Sequence, residues 1–125
     1  MNKQQDERRR EILGLDITTI EQDITHVDFT VEQLDLLIKE GFLDPESSQN
    51  DSPTAQEFCE FIREHPDFVA HGYLISAERE DCRITLEGIK STGDSIPKDR
   101  GEFVKLCRRA HEFRVESGRL YAWWD

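Results

Sequence analysis

The chain has no stretch approaching the ~18 consecutive apolar residues that a membrane-spanning helix needs, so an α-helical integral membrane protein is not expected. Its opening segment, MNKQQDERRREILGL, is charged from the third residue and has no apolar centre, so it does not read as a secretory leader. Cysteine is scarce. Cys59, Cys82 and Cys107 stand far apart, and an odd, widely spaced set makes neither a disulfide framework nor a zinc site. They read as reduced, small core residues, which makes the cytoplasm the expected compartment. A glycine-rich phosphate loop, a G-x-S-x-G elbow and an H-E-x-x-H helix are all missing, which removes the motif-bearing nucleotide, serine-hydrolase and zinc-peptidase classes.

Basic charge is also in short supply: 16 Lys and Arg face 27 Asp and Glu in 125 residues, for a net charge of −11. The deficit is local. Residues 11–67 hold 15 acidic and 2 basic side chains, whereas residues 98–125 hold 7 basic and 5 acidic ones. A field of that sign repels nucleic acid and anionic membranes at long range and favours cationic partners. The expected partner is therefore a protein, preferably a basic one, with no duplex DNA and no membrane, and the chain itself is expected to be a monomer or weak dimer.

What is present is enough apolar residue, in periodic clusters, for one real core. The length is that of one domain. Residues 1–11 read as a charged N-terminal helix or tail and residues 12–125 as a single α+β domain. Leu13, Ile17, Ile20, Ile24 and Val27 recur at helical spacing, which predicts a helix there, although Thr18, Thr19 and Thr25 pull the other way. A second helix follows over 31–40, capped by Asp28 or Thr30 and stopped by Gly41. The loop DPESSQNDSP leads to a third over 53–65, with Ser52 as cap, Pro53 at the first helical position and Pro66 as terminator. Near residue 68 the period changes to two. Hairpins are expected over 69–88 and 112–124, separated by a helix over 100–110. Phe58, Phe61, Ile84, Leu86, Phe103 and Leu106 are the expected shared core.

Few residues carry a chemical signal, and none is assigned a catalytic role. His71 and Tyr73 share one face of a strand, where an imidazole beside a phenol can perform acid–base work or simply finish the edge of a core. Cys107 and His111 lie one helical turn apart, but two ligands do not close a metal site, so neither metal nor cofactor is expected. The ending RLYAWW alternates, which sends Trp124 inward and leaves Tyr121 and Trp123 on the other face; exposed aromatics of this kind favour interfaces. The candidate binding residues are thus His71, Tyr73, Tyr121 and Trp123.

The segment HGYLISAEREDCRITLEGIK, with Arg83, Thr85, Glu87 and Gly88 in an R-x-T-x-E-G pattern, resembles the wing of winged-helix domains. The resemblance spans residues 29–90 and implies a winged-helix-like core, extended by a C-terminal helix and hairpin, in which helix 53–65 holds the recognition position. It implies nucleic-acid binding, yet that helix carries Glu57, Glu60 and Glu64 against Arg63, where a DNA-reading helix presents basic and amide groups. Three functions stay open at this point. The leading one is a small acidic protein-binding or regulatory module without catalysis. The others are a winged-helix regulator and an enzyme with a His71/Tyr73 site.

Overall fold

The structure is a computed structural model that describes residues 1–16, 23–92, 97–110, 112–116 and 119–124. The element order is α1 (Lys3–Ile12), β1 (Ile24–Phe29), α2 (Val31–Lys39), α3 (Ala55–Glu64), β2 (Phe68–Ile75), β3 (Ile84–Ser91), α4 (Pro97–Leu106), β4 (Glu112–Glu116) and β5 (Arg119–Trp123). The strands form one antiparallel sheet in the order β1-β2-β3-β5-β4. The protein is thus a small α+β domain of four helices and a five-stranded antiparallel sheet. No described helix is long and apolar enough to cross a membrane.

Local chemistry sets the helix ends. Asn2, Thr30 and Thr54 each accept a hydrogen bond from the backbone N–H three residues on, and Gln5, Gln33 and Glu57 reach back to the cap, making three capping boxes. The cap of α3 is therefore Thr54 and not Ser52: Ser52 instead bonds the N–H of Gln49 and the carbonyl of Pro53, which tightens the preceding loop. Gly41 takes φ +83° just after α2, the left-handed conformation that ends many helices at glycine. Helix α4 begins three residues earlier than the apolar pattern suggested, at Pro97.

The expected helix through Val27 is corrected by β1. Residues Ile24–Phe29 pair with β2 in register, Ile24 opposite Ile75 and Phe29 opposite Ala70. The period of two in I-T-H-V-D-F, with three β-branched residues, prevails over a helical stripe that depended on Ile17 and Ile20. Those two residues lie outside the described ones.

One row of side chains crosses the whole sheet on its inner face: Phe29, Ala70, Ile89, Ala122 and Phe113, one from each strand. Helices α2, α3 and α4 cover this face with Leu34, Leu37, Phe58, Phe61, Ile62 and Phe103, all buried. Phe61, Phe68 and Phe103 touch pairwise, with ring centroids 5.0, 5.4 and 6.3 Å apart. Of the expected core, Phe58, Phe61, Ile84, Leu86 and Phe103 are buried together, while Leu106 packs against the cluster half-buried. The C-terminal hairpin has the expected register, Phe113 opposite Ala122 and Arg114 opposite Tyr121. Leu120 and Trp124 are buried, and Phe113 stays exposed at the sheet edge while stacking on Phe103 at 5.5 Å. The Ser117-Gly118 tip is outside the described residues, as is the Val115 side chain.

Helix α1 docks by charge more than by apolar surface. Arg9 and Arg10 are almost fully buried and both donate through Nε to Asp6, at 2.8 and 3.0 Å. Arg9 also donates through Nη2 to the carbonyl of Ile75 at 2.6 Å, which ties the helix to the end of β2. Two guanidinium groups sharing one carboxylate leave that carboxylate indispensable. Asp6→Ala is expected to lower unfolding free energy by ~3–5 kcal/mol, the cost of stranding buried charge, while Arg8→Ala at an exposed pair shifts the denaturation midpoint far less. Urea unfolding of both variants checks this.

All three cysteines are free thiols. Burial, reinforced by the nearby Asp35 carboxylate, pushes the Cys59 thiol up to about 11, and burial alone pushes Cys107 higher still. Cys82 is only half-buried. Since the thiolate is the reactive form, a disulfide reagent at neutral pH should label Cys82 rapidly and the other two only on unfolding. Peptide mapping of the labelled native protein reads the outcome.

Candidate functional site on the open face of the sheet

The second face of the sheet presents half-exposed polar and aromatic side chains in ordered rows. One row runs His26, Tyr73, Thr85; the next runs Asp28, His71, Gly88, Trp123, Glu112; a third runs Val69, Lys90, Tyr121, Arg114. Each row follows from strand alternation, with one exception that shapes the site. Between His71 and Gly72 the β2–β3 register shifts by one residue: Gly72 faces Leu86, but His71 faces Gly88. Glu87 is the extra residue of a β-bulge. The bulge lets Leu86 and Ile89, three apart, both reach the core, and it places the Glu87 carboxylate under the histidines of the open face.

Around Glu87 the geometry is compact. Its Oε1 lies 3.7 Å from Nε2 of His71 and 3.8 Å from Nδ1 of His26, and its side chain is only 8% exposed. The two imidazole rings are nearly parallel, 8° apart, at 6.0 Å. His71 meets Asp28 through its other nitrogen, Nδ1 to Oδ1 at 3.0 Å, and Lys90 Nζ holds the second Asp28 oxygen at 3.0 Å. Partial burial works against ionisation of Asp28, but the hydrogen bonds from His71 and Lys90 and the Lys90 charge outweigh it and hold this carboxyl below its usual range.

The aromatic residues flank this cluster. The Trp123 ring is 5.5 Å from His71 and 6.3 Å from Tyr121. Tyr73 is edge-on to His26 at 6.0 Å, donates its hydroxyl proton to Gln49 and accepts from Arg83, both at 3.3 Å. Burial and the nearby Glu112 charge raise the Tyr121 phenol above its ordinary value. All four sequence-derived binding residues, His71, Tyr73, Tyr121 and Trp123, therefore lie on one face. Cys107 is buried in the core, and its partner by spacing, His111, is outside the described residues.

Sequence reasoning missed His26, Asp28 and Glu87. For β1 the signal was the alternation of Ile24, His26 and Asp28. For Glu87 it was the broken period in I-T-L-E-G-I, where two apolar residues three apart announce a bulge before a glycine. A second cluster, Glu64, His65 and Glu102, joins the end of α3 to α4, with His65 Nε2 2.6 Å from Glu102. Two of its three members are exposed and the short contact is a sufficient helix-to-helix latch. The wing-like segment forms β2 and β3, second and third of five strands, with a hydrogen-bonded neighbour on each side. Comparison with protein-family models, curated proteins and solved structures gave no match.

The bulge depends on Gly72. A Cβ there would sit 1.9 Å from the Thr85 carbonyl oxygen, a backbone atom that cannot swing aside. Gly72→Ala is expected to cost at least ~3 kcal/mol, beyond ordinary overpacking, and to move the His26 and His71 ring resonances in an NMR spectrum of the surviving folded fraction. Gly101→Ala, with no atom near its added Cβ, is the matched control and should leave both readouts in place.

Proposed function

We propose that the protein is a small acidic binding module without catalysis whose working surface is the open face of the sheet, and that its partner is a basic protein. The observation that supports this reading is the company of half-exposed aromatics with exposed carboxylates: Tyr73, Tyr121 and Trp123 lie in adjacent rows with Asp28 and Glu112. Aromatic faces beside carboxylates suit arginine and lysine side chains, which stack on the rings and pair with the acids. The net charge of −11 adds long-range attraction for a cationic surface and repels duplex DNA. Tryptophan and tyrosine are also the residue types most able to anchor an interface at small entropic cost.

A photo-crosslinker placed at position 121 in the full chain tests this in a cell lysate. The expected product is a discrete adduct with a basic protein, weakened by salt and reduced ~10-fold or more by Trp123→Ala, as for an interface anchor. An adduct spectrum unchanged by that substitution, or a salt-sensitive affinity for duplex DNA, overturns the reading.

A further inference from the structure

From the geometry of the open face we infer that His26, His71 and Glu87 form a site for a divalent transition-metal ion of the zinc class. The inference departs from the sequence expectation of no metal and stands apart from the partner reading, since the ion needs only this chain.

Three donors of the right kind converge: one atom each from His26, His71 and Glu87, all within 4.8 Å of one another. The distances from Glu87 to the two imidazoles, 3.7 and 3.8 Å, are too long for hydrogen bonds. They are close to the ~3.3 Å that separates neighbouring ligands around a tetrahedral ion with bonds of ~2.0–2.1 Å. An ion would draw the three donors together by side-chain rotation from separations of at most 4.8 Å. Two nitrogens and one carboxylate oxygen favour zinc and its neighbours over magnesium or calcium, which prefer all-oxygen shells.

The surroundings of His71 are a second, independent observation. A metal-binding imidazole usually donates its remaining N–H to a carboxylate, which fixes the tautomer and aims the other nitrogen at the ion. His71 has this arrangement: Nδ1 faces Asp28 at 3.0 Å while Nε2 turns toward Glu87. Lys90 fixes Asp28 from its far oxygen, and the Trp123 ring lies against His71. The strands supply the rigidity. His26 and Asp28 are alternate residues of β1, His71 is directly opposite Asp28 on β2, and the bulge delivers Glu87 from β3. His26 is 62% exposed and Glu87 8%, so the ion would bind at the lip of the face, with its remaining coordination position toward solvent. Three protein ligands and one open position is also the pattern of sites that exchange an outer ligand.

Calorimetric titration of the chelator-treated full chain with Zn²⁺ alone tests the inference. The expected result is one equivalent bound with a Kd of about 1 µM or tighter. His26→Asn alters an exposed side chain and should leave the fold intact while weakening binding ~100-fold. Glu87→Gln should do the same, and Asp28→Asn, which acts through His71, should weaken it by ~10- to 100-fold. Glu102→Gln and Cys82→Ser should leave the affinity unchanged. Co²⁺ alone should give the d–d spectrum of a four- or five-coordinate ion without a thiolate charge-transfer band. Zn²⁺ affinity that is indifferent to His26→Asn and Glu87→Gln, or no binding tighter than ~100 µM, overturns the site.

Discussion

The one-residue register shift between β2 and β3 is the constraint on which the rest of the molecule hangs. A regular strand would turn Ile89 outward once Leu86 faced the core, and the row of apolar residues that crosses the sheet would break at its centre. With the extra residue at Glu87, Leu86 faces Gly72 and Ile89 faces Ala70, so both sides of the bulge feed the same core. The same shift presents Gly88 to His71 and Trp123. Glycine is required here for closeness: a Cβ on Gly88 would come within 2.7 Å of the Ala122 carbonyl oxygen. Two small residues in the central strands therefore hold the sheet together and shape its outer surface at once.

Charge is distributed by layer. Exposed carboxylates of α2, α3 and the connecting loop make the helical side strongly acidic, with Asp35 answered by Arg63 and Glu40 by Arg8. The sheet face mixes signs: Asp28 pairs with His71 and Lys90, and Glu112 with Arg114, while both carboxylates stay about half exposed. Such pairings hold side chains in place more than they stabilise the fold, since exposed pairs contribute little net energy. Besides Glu87 under the histidines, the strongly buried charges among the described residues are Asp6, Arg9 and Arg10, which fix α1 against the end of β2.

The α+β class, both hairpins, the register of the C-terminal pair and most of the core were legible in the sequence because each rests on local period and on turn or cap chemistry. Alternation in R-L-Y-A-W-W placed Trp124 inside and Trp123 outside without reference to the rest of the chain. What was not legible depends on distant partners. Nothing local says that Arg9 and Arg10, in a segment that reads as a solvated tail, will be buried on a shared aspartate. Likewise β1 is a strand because β2 offers it an edge, and its helix-like stripe is overridden by that pairing. The site inherits the same limit. His71, Tyr73, Tyr121 and Trp123 could be read from their own strands, whereas His26, Asp28 and Glu87 join them only through β-sheet pairing and a bulge.

Adjacent tryptophans in opposite surroundings give the molecule two internal optical labels. The Trp124 indole is fully buried, edge-on to Phe58 at 5.7 Å, with no hydrogen-bond partner on its nitrogen among the described residues. Its emission belongs to a dry, apolar environment and disappears from that spectral region only when the core opens. The Trp123 indole is half-exposed against an imidazole, so its emission is red-shifted and open to quenching by the ring beside it. One chromophore reports whether the chain is folded and its neighbour reports what has happened on the sheet face, so the two processes can be separated by wavelength within a single spectrum of the native protein.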